Sequence, residues 1–157
     1  NAKSHRIQPL DEEKLNDVVK EVLGFYHNRI YNGEDHRKLR NFIRSVMWDC
    51  VGLIRNRPSL EQALRTFEEI GQESSMERPI EDVSSLVNSL EIQTMLTMGE
   101  IIATSALIRQ ESRGSHFRTD FPGEDETWLR NIVVSMEKGR PRFEAFQTRP
   151  ANFDEIA

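Results

Sequence analysis

Residues 109–129, RQESRGSHFRTDFPGEDETWL, crowd reactive side-chain types into one short stretch. Arg109, Glu111, Arg113, His116, Arg118 and Asp120 alternate charge, and Trp128 follows close behind. Three chemistries are conceivable here. Glu111, His116 and Asp120 are acceptable metal-ligand types, but their i, i+5, i+9 spacing matches no known cage. Ser112 or Ser115 with His116 and Asp120 would supply a nucleophile, a base and an acid. Near neighbours in sequence rarely converge into a triad, however, and no oxyanion elbow accompanies them. The third chemistry is mechanical. Arginine forks fix geometry against carboxylates and backbone carbonyls, and arginine with tryptophan anchors interfaces.

The elements around the cluster decide which chemistry is available. The chain has 157 residues and a net charge of −5, enough for one domain with a core and no global attraction to nucleic acid or anionic lipid. Cys50 is the only cysteine, so an intrachain disulfide scaffold is excluded, and its place on an apolar stripe reads as core rather than reactive thiol. The eight glycines never fall at GxG spacing, and neither CxxC nor HExxH occurs. Flavin, nicotinamide, nucleotide phosphate and iron–sulfur sites are therefore not expected in this chain. No apolar run is long enough to span a bilayer, and NAKSHRIQPL is not a signal peptide. The Asn1-Ala2 start, without methionine, suggests a cloning remnant on a flexible 1–10 terminus and a segment taken from a longer chain.

Periodicity predicts four helices. Leu15, Val18, Val19, Val22, Leu23, Tyr26 and Ile30 recur at steps of three and four, giving a helix over Asp11–Tyr31 that stops at Asn32-Gly33. A second runs His36–Ile54 on Leu39, Phe42, Ile43, Val46, Met47, Cys50, Val51 and Ile54, with Asp35 as N-cap and Pro58 as the break. Ser59 and Gln62 form a capping-box pattern for a third, ending at Gly71. A fourth starts at Asp82 or Ser84 and reaches Arg113, with Gly114 as its stop. Its apolar positions include Leu86, Val87, Leu90, Met95, Met98, Ile102 and Ile108, and Ala103, Ser105 and Ala106 narrow it for close approach. Beyond Pro122-Gly123 only Asn131–Ser135 reads as a strand, and Phe143, Phe146 and Phe153 need a surface to lie on. The expected architecture is all-α: an antiparallel three-helix bundle over 11–130 with an extra N-terminal helix, and an extended, strand-containing tail over 131–157.

Two blocks carry a family resemblance. LRNFIRSVMWDCVGLIRNRPSLEQAL (39–64) and ALIRQESRGSHFRTDFPGEDETWL (106–129) resemble the C-terminal helical domain of succinate dehydrogenase and fumarate reductase flavoproteins. L-aspartate oxidase and the adenylylsulfate reductase flavoprotein are relatives in that group. The likeness runs from about residue 35 to 150 and implies a spectrin-like three-helix bundle behind upstream FAD-binding and capping domains. It places FAD, the substrate-binding histidines and arginines and the proton-donating arginine in those domains, with none of them mapping here. DFPGEDETWL leans to the succinate or fumarate enzymes, since aspartate oxidases usually carry tyrosine at the position of Phe121.

The resemblance therefore implies a structural domain, inactive alone, in an FAD-dependent oxidoreductase. The alternatives are the same domain of L-aspartate oxidase or adenylylsulfate reductase, or a free-standing helical interaction module. Arg109, Glu111, Arg113, His116, Arg118, Asp120 and Trp128 are expected to lock the end of the long helix and dock it on the flavin domain. An iron–sulfur subunit is a further expected partner, and self-association through Met95, Met98 and the tail phenylalanines is expected of the isolated domain. The implied location is cytoplasmic, with membrane association only through partner subunits.

Overall fold

The computed structural model describes residues 13–14, 17, 33–73 and 83–147. The expected Asp11–Tyr31 helix lies outside the described residues except for Glu13, Lys14 and Asp17, which are helical. Phe153 also lies outside them.

Three helices form the body: α1 (Gly33–Val51), α2 (Arg57–Glu73) and α3 (Val83–Ile108). Each contacts the other two. Ile43, Val46 and Val51 of α1, Leu60, Ala63, Phe67 and Ile70 of α2, and Ile92, Leu96, Ala103 and Ala106 of α3 make one buried core. Cys50 packs against it as expected, and burial, then the Asp49 charge, pushes its thiol pKa up, away from the reactive thiolate.

The helix ends differ from the expected ones, each for a local reason. α1 begins at Gly33, so Asp35 sits inside its first turn. There a carboxylate still favours the positive end of the helix dipole without capping it. α1 stops at Val51 rather than Ile54, because the chain turns at Gly52, where a Cβ would stand 2.6 Å from the Trp48 carbonyl oxygen. Ile54, now beyond the helix, faces out rather than inward, and Phe42 within α1 is exposed as well.

α2 is capped by Asn56 and not by Ser59. The Asn56 Oδ1 accepts the Ser59 N–H at 2.9 Å, and the Ser59 Oγ accepts the Asn56 N–H at 3.2 Å. This reciprocal pair places Pro58 in the first turn, where a missing N–H costs nothing. Gly71 is buried within α2 and does not end it.

α3 ends at Ile108, five residues before the expected Arg113. Its innermost stripe is Ser85, Ser89, Ile92, Leu96, Gly99, Ala103 and Ala106, mostly small. A Cβ on Gly99 would come within 2.9 Å of the Phe67 ring, so glycine there is what lets α2 approach. Val87 and Ile102, apolar positions of the predicted helix, lie outside that stripe and are exposed, as is Met98.

Two small sheets complete the fold. β1 (Ile54–Arg55) pairs in parallel with β2 (Phe117–Arg118), tying the α1–α2 connection to the segment after α3. β3 (Arg130–Glu137) and β4 (Arg140–Gln147) form an antiparallel hairpin, so the tail holds two full strands where one short strand was expected. Lys138 and Gly139 both take positive φ, as a two-residue type I′ turn requires. Paired residues share a face, and Ile132/Ala145, Val134/Phe143 and Met136/Pro141 make one face of the hairpin apolar.

Candidate functional site: an arginine–carboxylate lock at the end of the long helix

The last turn of α3 leaves carbonyls without helical partners. Arg118 meets them from β2. Its Nη1 donates to the carbonyls of Ala106 at 2.7 Å, Leu107 at 3.2 Å and Arg109 at 3.2 Å. Its other edge forks onto Asp120, Nε to Oδ1 at 2.8 Å and Nη2 to Oδ2 at 2.7 Å. The Phe121 ring covers the guanidinium at 5.0 Å. The residue is 0% exposed, so the charge is tolerated only because every direction holds an acceptor or a ring.

Asp120 passes the connection on. Its Oδ2 also accepts the N–H of Arg57, the first residue of α2, at 3.0 Å. The pair thus sets a cation on the negative end of α3 and an anion on the positive end of α2. Arg118, with help from the Arg57 N–H against the cost of burial, holds the Asp120 carboxyl at about 2.

Glu111 is the second centre and is also 0% exposed. Arg109 donates to its Oε1. Arg113 forks onto it, Nη2 to Oε2 at 3.0 Å and Nε to Oε1 at 3.1 Å. The Asp125 N–H donates to Oε2 at 2.9 Å. Burial pushes this carboxyl up, but the Arg113, Asp125 and Arg109 hydrogen bonds together outweigh it and hold it at about 2. Arg109 continues outward, with Nη1 to the Trp128 carbonyl at 3.1 Å, Nη2 to the Arg130 carbonyl at 2.5 Å, and its guanidinium over the Trp128 ring at 5.4 Å. Arg113 ends on Glu124 at 3.0 Å.

His116 links the two centres. The N–H of each of Arg113 and His116 donates to the other's carbonyl, at 2.9 and 3.0 Å, around a two-residue turn. Gly114 in that turn has φ +59, which suits glycine and makes it a hairpin residue rather than a helix stop. The His116 Nδ1 faces Arg55 Nη1 at 3.2 Å, and its Nε2 faces the Arg109 carbonyl at 3.3 Å. Arginine can only donate, so Nδ1 accepts and Nε2 carries the proton. Burial first, then the charges of Arg55, Arg118 and Arg109, lower its pKa against the Arg109 carbonyl bond.

The structure brings all seven sequence-flagged residues into one network, with Trp128 attached through Arg109. The alternative chemistries find their groups already engaged. Ser112 Oγ accepts the Arg118 N–H at 2.8 Å and donates to the Phe121 carbonyl at 2.7 Å, while Ser115 lies exposed in the turn. Glu111, one of the acids weighed as metal ligands, is buried under the Arg109 and Arg113 guanidinium groups, and Asp120, which keeps an exposed edge, is paired with Arg118. No cluster of three His, Cys, Asp or Glu side chains suited to a metal ion occurs among the described residues. Sequence reasoning missed Arg55 and Asn56. Arg55 pairs in β1 and orients His116. The Asn-x-Pro-Ser order over 56–59 carried the signal for the Asn56 cap.

A family model described as the fumarate reductase flavoprotein C-terminus matches residues 40–157. The chain belongs to that family, the C-terminal domain of succinate dehydrogenase and fumarate reductase flavoproteins. It is 34% identical over 142 residues to an uncharacterized FAD-dependent oxidoreductase of Methanocaldococcus jannaschii, covering 86% of this chain and 24% of that protein. It is 29% identical over 133 residues to the fumarate reductase flavoprotein subunit of Helicobacter pylori, covering 80% and 19%. The L-aspartate oxidase of Acinetobacter baylyi is 33% identical over 116 residues, covering 73% and 20%. Among solved structures, E. coli quinol fumarate reductase superposes with a TM-score of 0.71 at 22% identity, over 90% of this chain and 25% of that one. The chain thus spans a quarter or less of the length of these relatives.

Proposed function

We propose that this chain is the C-terminal structural and docking domain of an FAD-dependent flavoprotein acting on succinate or fumarate, inactive by itself. The observation that carries the reading is the saturation of the lock. Glu111 and Asp120 are each spent on arginines and backbone N–H groups, and the His116 ring is held between Arg55 and a carbonyl. Each acid of the network, and its histidine, is already held by arginine or backbone partners. Such a network suits a rigid joint between helix ends.

In this reading the three helices form an antiparallel, spectrin-like bundle over 11–130, carrying the N-terminal helix, and 131–157 is a tail applied to another surface. Arg109, Glu111, Arg113, His116, Arg118, Asp120 and Trp128 hold the joint. The outer edges of Arg113 and Trp128, with the apolar hairpin face, meet the upstream FAD-binding and capping domains. FAD is bound upstream and not by this chain. An iron–sulfur subunit is a further partner of the whole protein. No helix among the described residues is long and apolar enough to cross a membrane. A cytoplasmic location with membrane attachment through partners is part of the same proposal.

The test is to express the chain behind its natural upstream sequence and also alone. Flavin absorbance and dye-linked succinate oxidation and fumarate reduction are recorded for both. Flavin and turnover in the longer protein only are expected; flavin in the isolated chain, or none in the longer protein, overturns the reading. Docking is tested separately by Arg113→Glu with Trp128→Ala in the longer protein, where unchanged flavin retention would count against it.

The 33% identity to an L-aspartate oxidase supports a second reading, oxidation of aspartate by the parent protein. Aspartate-dependent turnover in the same assay separates the two.

A further inference from the structure

β1 and β2 have two residues each, so the tie between the α1–α2 connection and the segment after α3 is small. The Thr119 N–H donates to the Arg55 carbonyl at 2.9 Å, and the Asp120 carboxylate takes the Arg57 N–H at 3.0 Å. The Arg55 side chain crosses the tie to the His116 ring, Nη1 to Nδ1 at 3.2 Å, while its Nε donates to the Gly52 carbonyl at 2.8 Å within its own connection. Arg109, Arg113 and Arg118 each pair with a carboxylate. Arg55 pairs with none among the described residues, so the neutral imidazole is the acceptor that holds it across the tie.

We propose that His116 is an acid-released latch: a proton added at Nδ1 removes the acceptor of Arg55, sets like charges face to face, and frees β1 and the α1–α2 connection from β2 while the three helices stay packed. The proposal stands on this chain alone and does not depend on the flavoprotein reading. Three guanidinium groups bear on the ring, Arg55 from β1, Arg109 just past α3 and Arg118 from β2. The acids of the joint do not offset them at the ring, because Glu111 is taken up by Arg109 and Arg113, and Asp120 by Arg118 and the Arg57 N–H. The other ring nitrogen is already committed, with Nε2 carrying the proton toward the Arg109 carbonyl at 3.3 Å. Burial first, then the three positive charges, hold the imidazole below its ordinary 6.5 against that carbonyl bond. The closed tie is therefore fully favoured above about 6.5 and weakens as pH falls below it. The buried helical core contains no residue of this network, so the latch opens without a loss of helix packing.

Hydrogen exchange of the chain at pH 7 and pH 5, each amide compared with its intrinsic rate at the same pH, tests this. Glu111 and Asp120, both held at about 2, stay ionised across that range and contribute nothing to the change. Protection of 54–56 and 116–119 is expected to fall at least about threefold at pH 5 while 60–73 of α2 keeps its own. His116→Asn keeps an acceptor for Arg55 and a donor for the Arg109 carbonyl without titrating, and should abolish the fall. The same variant separates His116 from the chain's other histidines. Nitrogen NMR of the wild-type ring needs no variant to fold: His116 should be neutral at pH 7, with its proton on Nε2, and titrate below 6.5. Protection of 116–119 that is level between the two pH values, a fall that persists in His116→Asn, or a ring already charged at pH 7 overturns the proposal. An equal fall in 60–73 overturns it too, since the whole domain would then be opening.

Discussion

Replacing Glu111 by glutamine should cost the fold several kcal/mol and remove part of its acid sensitivity. The carboxylate is fully buried and accepts from Arg109, Arg113 and the Asp125 N–H. Glutamine keeps the shape but removes the charge, and it turns one acceptor into a donor facing guanidinium groups. Holding the carboxyl at about 2 instead of its ordinary 4.5 corresponds to roughly 3 kcal/mol, at about 1.4 kcal/mol per pH unit. Breaking one partner out of a buried pair costs about 3–5 kcal/mol by general experience. Arg113 is partly exposed and recovers some hydration, which places the expectation near the lower end, about 3 kcal/mol. The pH dependence has a definite sign. The folded-state value is depressed, so the unfolded chain takes up the proton first as pH falls. The Glu111 contribution is complete above about 4.5 and is lost progressively as pH drops toward about 2. Urea unfolding followed by helical circular dichroism at pH 7, 5, 4 and 3 measures it. The gap between wild type and Glu111→Gln should be widest at pH 7 and close on acidification. A Glu111→Gln variant within about 1 kcal/mol of wild type at pH 7, where an exposed pair would leave it, refutes the reasoning. A gap that does not change with pH does the same.

Arg118→Lys should destabilise by about 2–3 kcal/mol, because one ammonium cannot serve both Asp120 oxygens and the α3 carbonyls; a urea midpoint equal to wild type would contradict it. Gly99→Ala should lower stability by about 1–3 kcal/mol although alanine is the better helix former, since its Cβ meets the Phe67 ring; a raised thermal midpoint is the contrary result. His116 is held neutral in the fold, so its contribution is complete above about 6.5 and shrinks as pH falls below that. His116→Asn should accordingly flatten the stability profile between pH 7 and 5, and an unchanged slope there would show that His116 does not titrate against Arg55.

The helices were legible because their apolar residues recur at a helical period over several turns. Ile43, Val46 and Val51, or Leu60, Ala63, Phe67 and Ile70, can be read from spacing alone. Helix ends were less legible, since they depend on which polar group reaches a free N–H or carbonyl. Ser59 looked like a cap by type, yet Asn56 three residues earlier offers Oδ1 to Ser59 and moves the start upstream. α3 read as longer because Arg109, Glu111 and Arg113 are good helix formers. Their spacing said nothing of Arg118 returning to take the Ala106 and Leu107 carbonyls. The second tail strand was missed because charged residues interrupt Arg140–Gln147, while the alternating face appears only once the Lys138-Gly139 turn fixes the register. The residues of the arginine–carboxylate cluster were legible by type, but their partners were not. Arg55 comes from 61 residues upstream of His116, and only the parallel β1–β2 pairing brings them together.

A cluster rich in arginine, acid and histidine looks catalytic because catalysis and buried structural joints need the same side-chain types. What separates them is whether an ionised group keeps an unused direction. A general base needs a free lone pair near a cleft, and a substrate-binding arginine needs a free edge. In this network the Arg118 guanidinium is divided between Asp120 and three carbonyls, and the Asp120 carboxylate is divided between Arg118 and the α2 N-terminus. Both carboxyl values near 2 are then the mark of saturation and not of a poised acid, which would be raised toward neutrality. The joint holds the end of α3 against the start of α2 and carries Trp128 and the hairpin on the same arginine. A movement of the hairpin would therefore reach the end of α3 through Arg109 and Glu111, which tie it to the helical core.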